Sequence, residues 1–417
     1  MSRPVHRATT ANLCALYPFL AGSGLACDAV YIGADDAERA FCFDPWLLYP
    51  GVLTNPNILV AGQIGRGKSA LVKTLVWREL VFGHRAAILD PKGEYAGLAA
   101  AAGVEPLRLA PGSGVRLNPL DPGPGADELP PTEIARRRLS LVQSIASAAL
   151  GRDLAPIEKA ACQLAMASLT SSCPTLPELA RALLEPSEAA AAQIRTTAAE
   201  LAKASHDVAL EVRRLCEGDL AGLFDGPSTV AVDWDGPLVV LDLSALASEE
   251  SLGILMACAT AWIHAAVARP GAGQRFLVLD EAWRLLSHLG TARWLRASLK
   301  LSRQWGLSNI VVLHRLSDLV AAGDAGSEQR ALAEGLLSDT ETRVIYAQAD
   351  GEVAPAAELL GLSAADRQRI PQLERGWALW KVGRSTHLVE HHLSAFEADF
   401  IVDTDAAMAQ ASAEVAS

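Results

Sequence analysis

Gly62-Gln63-Ile64-Gly65-Arg66-Gly67-Lys68-Ser69 reads G-x-x-x-x-G-K-S, the pattern of a phosphate-binding loop. Its surroundings matter as much as the motif. Asn57-Ile58-Leu59-Val60-Ala61 reads as a short buried strand, and Leu71 to Phe82 as a helix free of breakers. Glycines let successive backbone N–H groups converge on an anion, and a helix start adds partial positive charge. In such a loop Lys68 reaches the outer phosphates of a triphosphate, and the Ser69 hydroxyl a Mg2+ ion. The expected nucleotide-binding residues are therefore Gly62, Gln63, Ile64, Gly65, Arg66, Gly67, Lys68, Ser69 and Ala70, with ATP and Mg2+ as cofactors.

A phosphate loop needs a metal anchor and a way to activate water. Phe276-Leu277-Val278-Leu279-Asp280-Glu281 supplies both. Four apolar residues carry Asp280 to the carboxyl edge of a sheet, where it can hold Mg2+. Glu281, one residue on, can act as general base on the attacking water. Glu281 and Lys68 are thus the first candidates for catalysis. A further strand, Ala86 to Asp90, lies between the two motifs in sequence. RecA-like motors insert a strand between the loop strand and the metal strand and follow the Asp with a Glu; the Asp-Glu pair favours that class.

Apolar runs recur at Pro237 to Asp242, Arg275 to Glu281, Asn309 to Leu313 and Arg343 to Ala347, with β-rich segments at Ala378 to Val382 and His387 to Val389. Near-continuous apolar strands separated by helices mark a parallel sheet covered on both faces. The expected fold class is α/β: a RecA-like P-loop NTPase with a mostly parallel sheet flanked by helices, plus an all-helical insertion. The insertion is read at 129–228, after a proline-rich segment (Pro119, Pro122, Pro124, Pro130, Pro131). Its expected helices are Glu133 to Leu150, Pro156 to Leu169, Leu176 to Leu184, Ala189 to Ala204 and Asp207 to Cys216. The ATPase core then occupies 51–128 and 229–400, behind a short strand-rich segment at 1–50. A small acidic tail, 401–417, is expected to be disordered.

Of the 417 residues 50% are hydrophobic and 5% aromatic, which suits a helix-rich α/β protein with a sizeable core. A net charge of −12 argues against a uniformly basic nucleic-acid coat, though not against a local basic channel. Cys14, Cys27, Cys42, Cys162, Cys173, Cys216 and Cys258 form no C-x-x-C pair and no metal-spaced cluster, which fits a reducing compartment. Met1 to Cys27 only faintly resembles an export signal, because Pro18 breaks its apolar stretch. Leu252 to Ala268 is apolar enough to suggest a membrane span, but it falls between two strands of one sheet and reads as a buried helix.

Taken in order, these segments resemble the HerA–FtsK superfamily, and within it the conjugation and type IV secretion ATPases. Gly62 to Ser69 matches its P-loop. Asp90-Pro91-Lys92-Gly93-Glu94-Tyr95 is similar to its D-P-x-G-E-Y, Asn118-Pro119-Leu120 to its N-P-L, and Asp280-Glu281-Ala282-Trp283-Arg284-Leu285-Leu286 to its D-E-A-W-x-L-L. The likeness spans roughly residues 50 to 395, and the helical insertion falls where the family carries an all-helical subdomain. The resemblance implies a homo-hexamer with ATP between subunits, channel components as partners, DNA as a further candidate partner, and a cytoplasmic place at the inner face of the membrane. It makes Arg303, in Leu301-Ser302-Arg303-Gln304-Trp305-Gly306 on the helix after Glu281, the candidate arginine finger, with Arg315 and Arg343 in reserve. It also places His314 where relatives carry a γ-phosphate-sensing Gln. Asp90 and Glu94 are expected to shape the nucleotide site, a solvated loop acid being the other reading of Glu94. The family usually has a large domain before the motor, whereas about sixty residues precede the P-loop here.

Two other functions compete with a secretion motor. A DNA pump of the same superfamily would need basic pore residues, and Lys73, Arg78, Arg85 and Lys92 are too dispersed to argue for them. A small-molecule kinase would use the insertion as a lid, but Glu281 suits water activation better.

Overall fold

In the computed structural model, the strands are β1 (Val30–Asp35), β2 (Ala40–Phe43), β3 (Ile58–Ala61), β4 (Arg85–Asp90), β5 (Leu107–Arg108), β6 (Leu238–Asp242), β7 (Arg275–Leu279), β8 (Leu307–Leu313), β9 (Thr342–Ile345), β10 (Trp377–Val382) and β11 (Ser385–His391). The structure describes Leu25 and residues 28–121, 129–246, 252–263, 273–286, 292–315 and 327–402, apart from scattered positions within them. The export-like stretch before Leu25, the prolines at 122 and 124 and the tail from 403 lie outside the described residues.

One sheet of eleven strands runs β2-β1-β11-β10-β9-β3-β8-β7-β4-β6-β5. From β9 to β5 neighbouring strands are parallel. From β9 outward through β10, β11, β1 and β2 they are antiparallel. The central strands are mostly apolar because both faces are covered, with polar Ser308, Asn309 and Arg275 buried at their amino ends. Ile58 and Val60, Phe276 and Val278, Ile310 and Val312 join the layer that holds the helix Lys68–Val81. Leu59 and Ala61, Leu277 and Leu279, Val311 and Leu313 join the opposite layer, which is continuous with the helical insertion. That two-residue alternation follows from the pleat.

β8 is the strand inserted between the P-loop strand β3 and the acidic strand β7, the order expected of RecA-like motors. β5 escapes a sequence reading because two residues carry no periodicity.

Among the described residues no strand falls between Pro131 and Glu217, and the helices there are Pro131–Ala149, Pro156–Ser168, Leu176–Leu184, Glu188–Gln193, Ala198–Ala204 and His206–Glu217. The single helix expected over Ala189 to Ala204 is two. Arg195 takes a left-handed φ of 57°, and Thr197 starts a new helix by accepting a hydrogen bond from the Glu200 N–H while Glu200 bonds back to the Thr197 N–H. Chain entering and leaving the insertion runs side by side: Leu117 N–H donates to the Leu223 carbonyl and Thr229 N–H to the Arg116 carbonyl. Buried Asn118 ties this neck together, its Nδ2 donating to the Pro174 carbonyl and its N–H to Ser228 Oγ.

The described part of the Leu252 to Ala268 segment is helical and buried, with Leu255, Met256 and Ile263 fully covered. Among the described residues no helix is long and apolar enough to cross a membrane.

Candidate nucleotide site

The P-loop leaves the carboxyl end of β3 and turns into the helix Lys68–Val81 at Gly67, whose φ of 113° only glycine adopts freely. No side chain caps that helix, so its first N–H groups are left for an anion. Fully buried Tyr346, just past β9, forms the floor of the loop. A Cβ on Gly62 would meet Tyr346 Cβ at 2.4 Å, and one on Gly67 would meet its ring at 3.3 Å. Gln63 N–H donates to the Ala347 carbonyl at 3.0 Å, and Gly376 N–H to the Arg66 carbonyl at 3.1 Å, so the loop is anchored on both sides. Ile64 and Gly65 stand exposed at its crown; Ser69 and Ala70 are half-buried in the first helical turn.

Lys68 is buried, and its Nζ donates to the Gly62 and Gln63 carbonyls at 2.5 and 2.9 Å. Burial pushes its ammonium down to about 8, opposed by the carboxylates of Asp280, Glu281 and Glu94. Lys68 and the acidic pair thus stand at the same edge of the sheet, with only β8 between the strands they follow.

Asp280 and Glu281 follow directly on β7. Asp280 is 4% exposed; burial, followed by the neighbouring Glu281, raises its carboxyl to about 6. It accepts from the Glu281 N–H at 2.9 Å and from the Tyr95 hydroxyl at 3.3 Å. The Asp280 carboxylate and the Ser69 hydroxyl are oxygen donors of the kind Mg2+ takes. Glu281 has a left-handed φ of 53°, a strained conformation for a residue with a side chain. Burial would raise its carboxyl, but hydrogen bonds from His314, Lys92 and Trp283 outweigh burial and hold it at about 2. Trp283 Nε1 donates to Oε2 at 2.6 Å, while Lys92 Nζ and His314 Nε2 both meet Oε1.

Lys92 is presented by a turn that Asp90 organises. Buried Asp90 accepts from the N–H groups of Lys92, Gly93 and Glu94 through Oδ1 and of Tyr95 through Oδ2. The acidic motif residue thus builds the loop that frames the site. Glu94 is half-buried and contributes to the field at Lys68 and Asp280.

Of the remaining candidates His314, the residue after β8, joins this group through Glu281 and Lys92, while the three arginines lie apart from it. Arg303 sits on a 3-10 turn, Ser302–Trp305, that follows helical residues at 299–300 and is followed by Gly306 with a φ of 64°. It is exposed, donates to the Thr54 carbonyl at 3.1 Å, and lies near the amino ends of β3 and β8, the edge opposite Lys68 in its own chain. Arg315 lies 4.0 Å from Glu352. The Arg343 guanidinium is taken up by the carbonyls of Leu337, Thr340 and Leu360. Sequence reasoning gave no site role to Lys92, Tyr95, Trp283 or Tyr346. The first three stand inside the quoted D-P-K-G-E-Y and D-E-A-W segments, a signal that was available.

Residues 51–107 match the family model described as an AAA-like domain. No curated protein matches the chain in sequence. Among solved structures, VirB4 of Thermoanaerobacter pseudethanolicus superposes with a TM-score of 0.73 at 23% identity, over 90% of this chain and 100% of that one. The bacterial conjugative coupling protein TrwBdeltaN70, in its unbound monoclinic form, superposes with a TM-score of 0.59 at 14% identity, over 88% and 89%. The plasmid coupling protein TrwB in complex with ADP and Mg2+ gives 0.58 at 16%, over 88% and 90%. The chain therefore has the P-loop NTPase fold seen in VirB4 and in the conjugative coupling protein TrwB, with an AAA-like segment spanning its phosphate loop.

Proposed function

We propose that this chain is an ATP-hydrolysing motor that powers conjugative DNA transfer or type IV secretion, working as a ring with the nucleotide between subunits. One observation carries the reading: the P-loop that follows β3 and ends in Lys68, and the Asp280-Glu281 pair that follows β7, leave the same carboxyl edge of the sheet with only β8 between their strands. The fold likeness to VirB4, and to a TrwB that holds ADP and Mg2+, supports it.

In this reading the P-loop amides and Lys68 hold the phosphates. Ser69 and Asp280 would hold Mg2+, which when bound offsets phosphate charge. Glu281 accepts a proton from the attacking water once one of its oxygens is released by Lys92 and His314. Gly62 to Ala70 and His314 line the nucleotide, and Arg303 reaches the nucleotide of a neighbouring subunit. The core is divided at 51–128 and 229–400, and the insertion at 129–228 moves against it. Channel components and DNA are the proposed partners, at the inner face of the membrane.

Phosphate release from Mg-ATP tests the reading. Glu281→Gln is expected to keep affinity for an ATP analogue and to lose kcat by about 100-fold or more. A wild-type chain that binds no Mg-ATP would overturn it. For the ring, the rate per subunit should rise with protein concentration and fall when Arg303→Ala subunits are mixed in. A flat rate contradicts the ring.

The likeness to TrwB, a coupling protein, favours a second reading: a DNA pump of the same superfamily. DNA stimulation of hydrolysis that weakens steeply with salt would select it.

A further inference from the structure

Gln348 stands three residues beyond β9 and is 2% exposed, yet among the described residues neither its amide oxygen nor its amide nitrogen has a hydrogen-bond partner. Native proteins rarely leave a buried primary amide wholly unpaired, and such groups ask for a missing partner. The backbone places this one beside the P-loop. β9 pairs with β3 in parallel, Ile345 opposite Ala61, and the next residues run along the loop, with the Ala347 carbonyl accepting from the Gln63 N–H. Val344 and Tyr346 lie in the layer of the P-loop helix, and Gln348 follows Tyr346 by two residues. The loop is thus flanked by His314 from β8 on one side and Gln348 from β9 on the other. His314 is engaged with Glu281 and Lys92, whereas the Gln348 amide is uncommitted.

We infer that Gln348 is a nucleotide-contacting residue: its Nε2 donates to an oxygen of the terminal phosphate of a triphosphate seated in the P-loop. The inference rests on the proposed ATP site and adds to it the residue that distinguishes triphosphate from diphosphate. An amide suits the task because it donates to an anion without carrying a charge of its own, so an empty site is not locked by an ion pair.

The test uses the full chain and fluorescent nucleotide titrations with Mg2+, comparing a non-hydrolysable ATP analogue with ADP. Gln348→Leu removes the amide at similar volume, and Gln348→Ala serves as a second variant. Melting temperature without nucleotide should hold or rise in Gln348→Leu, because an unpaired buried amide is lost. Affinity for the analogue should fall about tenfold, and affinity for ADP should stay within about twofold of wild type. Equal analogue affinity in wild type and both variants would overturn the inference while leaving the ATP site standing, as would equal losses for analogue and ADP. A wild-type chain that binds neither nucleotide would sink the ATP site itself, and the inference with it.

Discussion

Lys92 Nζ and the Glu281 carboxylate form an ion pair across the carboxyl ends of the adjacent strands β4 and β7. His314 meets the same carboxylate oxygen, and Trp283 takes the other. Three donors on the two oxygens hold the Glu281 carboxylate in place, so this arrangement restrains the candidate base.

Lys92→Met is expected to raise basal turnover at saturating Mg-ATP. Lys92 is partly exposed, so the restraint is worth about 1 kcal/mol and its removal about fivefold in kcat. Steady-state phosphate release checks this. Unchanged or slower turnover, at unchanged nucleotide affinity, would show that Lys92 assists Glu281 instead.

Asp90 acts through the backbone. Four N–H groups from Lys92 to Tyr95 converge on one buried carboxylate. Asp90→Ala leaves those donors without their acceptor and is expected to lower stability by about 2–3 kcal/mol. Urea unfolding midpoints read the loss. Because the turn also carries Lys92 and Tyr95, the variant should lose order around Glu281, seen as a change in Trp283 fluorescence. A midpoint within experimental error of wild type would contradict this role.

Arg78, on the P-loop helix, clasps Glu397 near the carboxyl end of the described chain. Nε–Oε1 and Nη2–Oε2 are 2.6 and 2.7 Å, and the guanidinium also donates to the Tyr31 and His392 carbonyls at 2.6 Å. Burial would raise the Glu397 carboxyl, but Arg78 and Ser394 hold it below its usual range. A carboxyl depressed in the folded state stabilises at pH above its unfolded value, and that contribution is lost as pH falls through the folded one. Glu397→Gln should therefore melt below wild type at neutral pH, by about 2–3 kcal/mol, with the gap closing below about pH 4.5. Thermal melts across that range decide it. A gap that does not depend on pH would contradict the ion pair.

The sheet and the P-loop were legible because their signals are local. Apolar runs such as Phe276 to Leu279 identify strands buried on both faces, and G-x-x-x-x-G-K-S can be read from eight consecutive residues. Contacts made by the fold were not legible. Lys92 meets Glu281 only because β4 lies beside β7, and Tyr346 supports the P-loop only because β9 lies beside β3. Composition likewise hid the break at Arg195, since alanine-rich sequence on both sides favours helix while the Thr197–Glu200 cap restarts it.

In the proposed site Lys68 and Asp280 act on one bound triphosphate. A double-mutant cycle on affinity for a Mg-ATP analogue, with Lys68→Ala, Asp280→Asn and both together, tests this most directly. Two groups gripping the same Mg-triphosphate should couple, so the double variant should lose less affinity than the sum of the single losses, by about 1 kcal/mol or more. Losses that add within about 0.3–0.5 kcal/mol would mean that the two side chains serve separate sites.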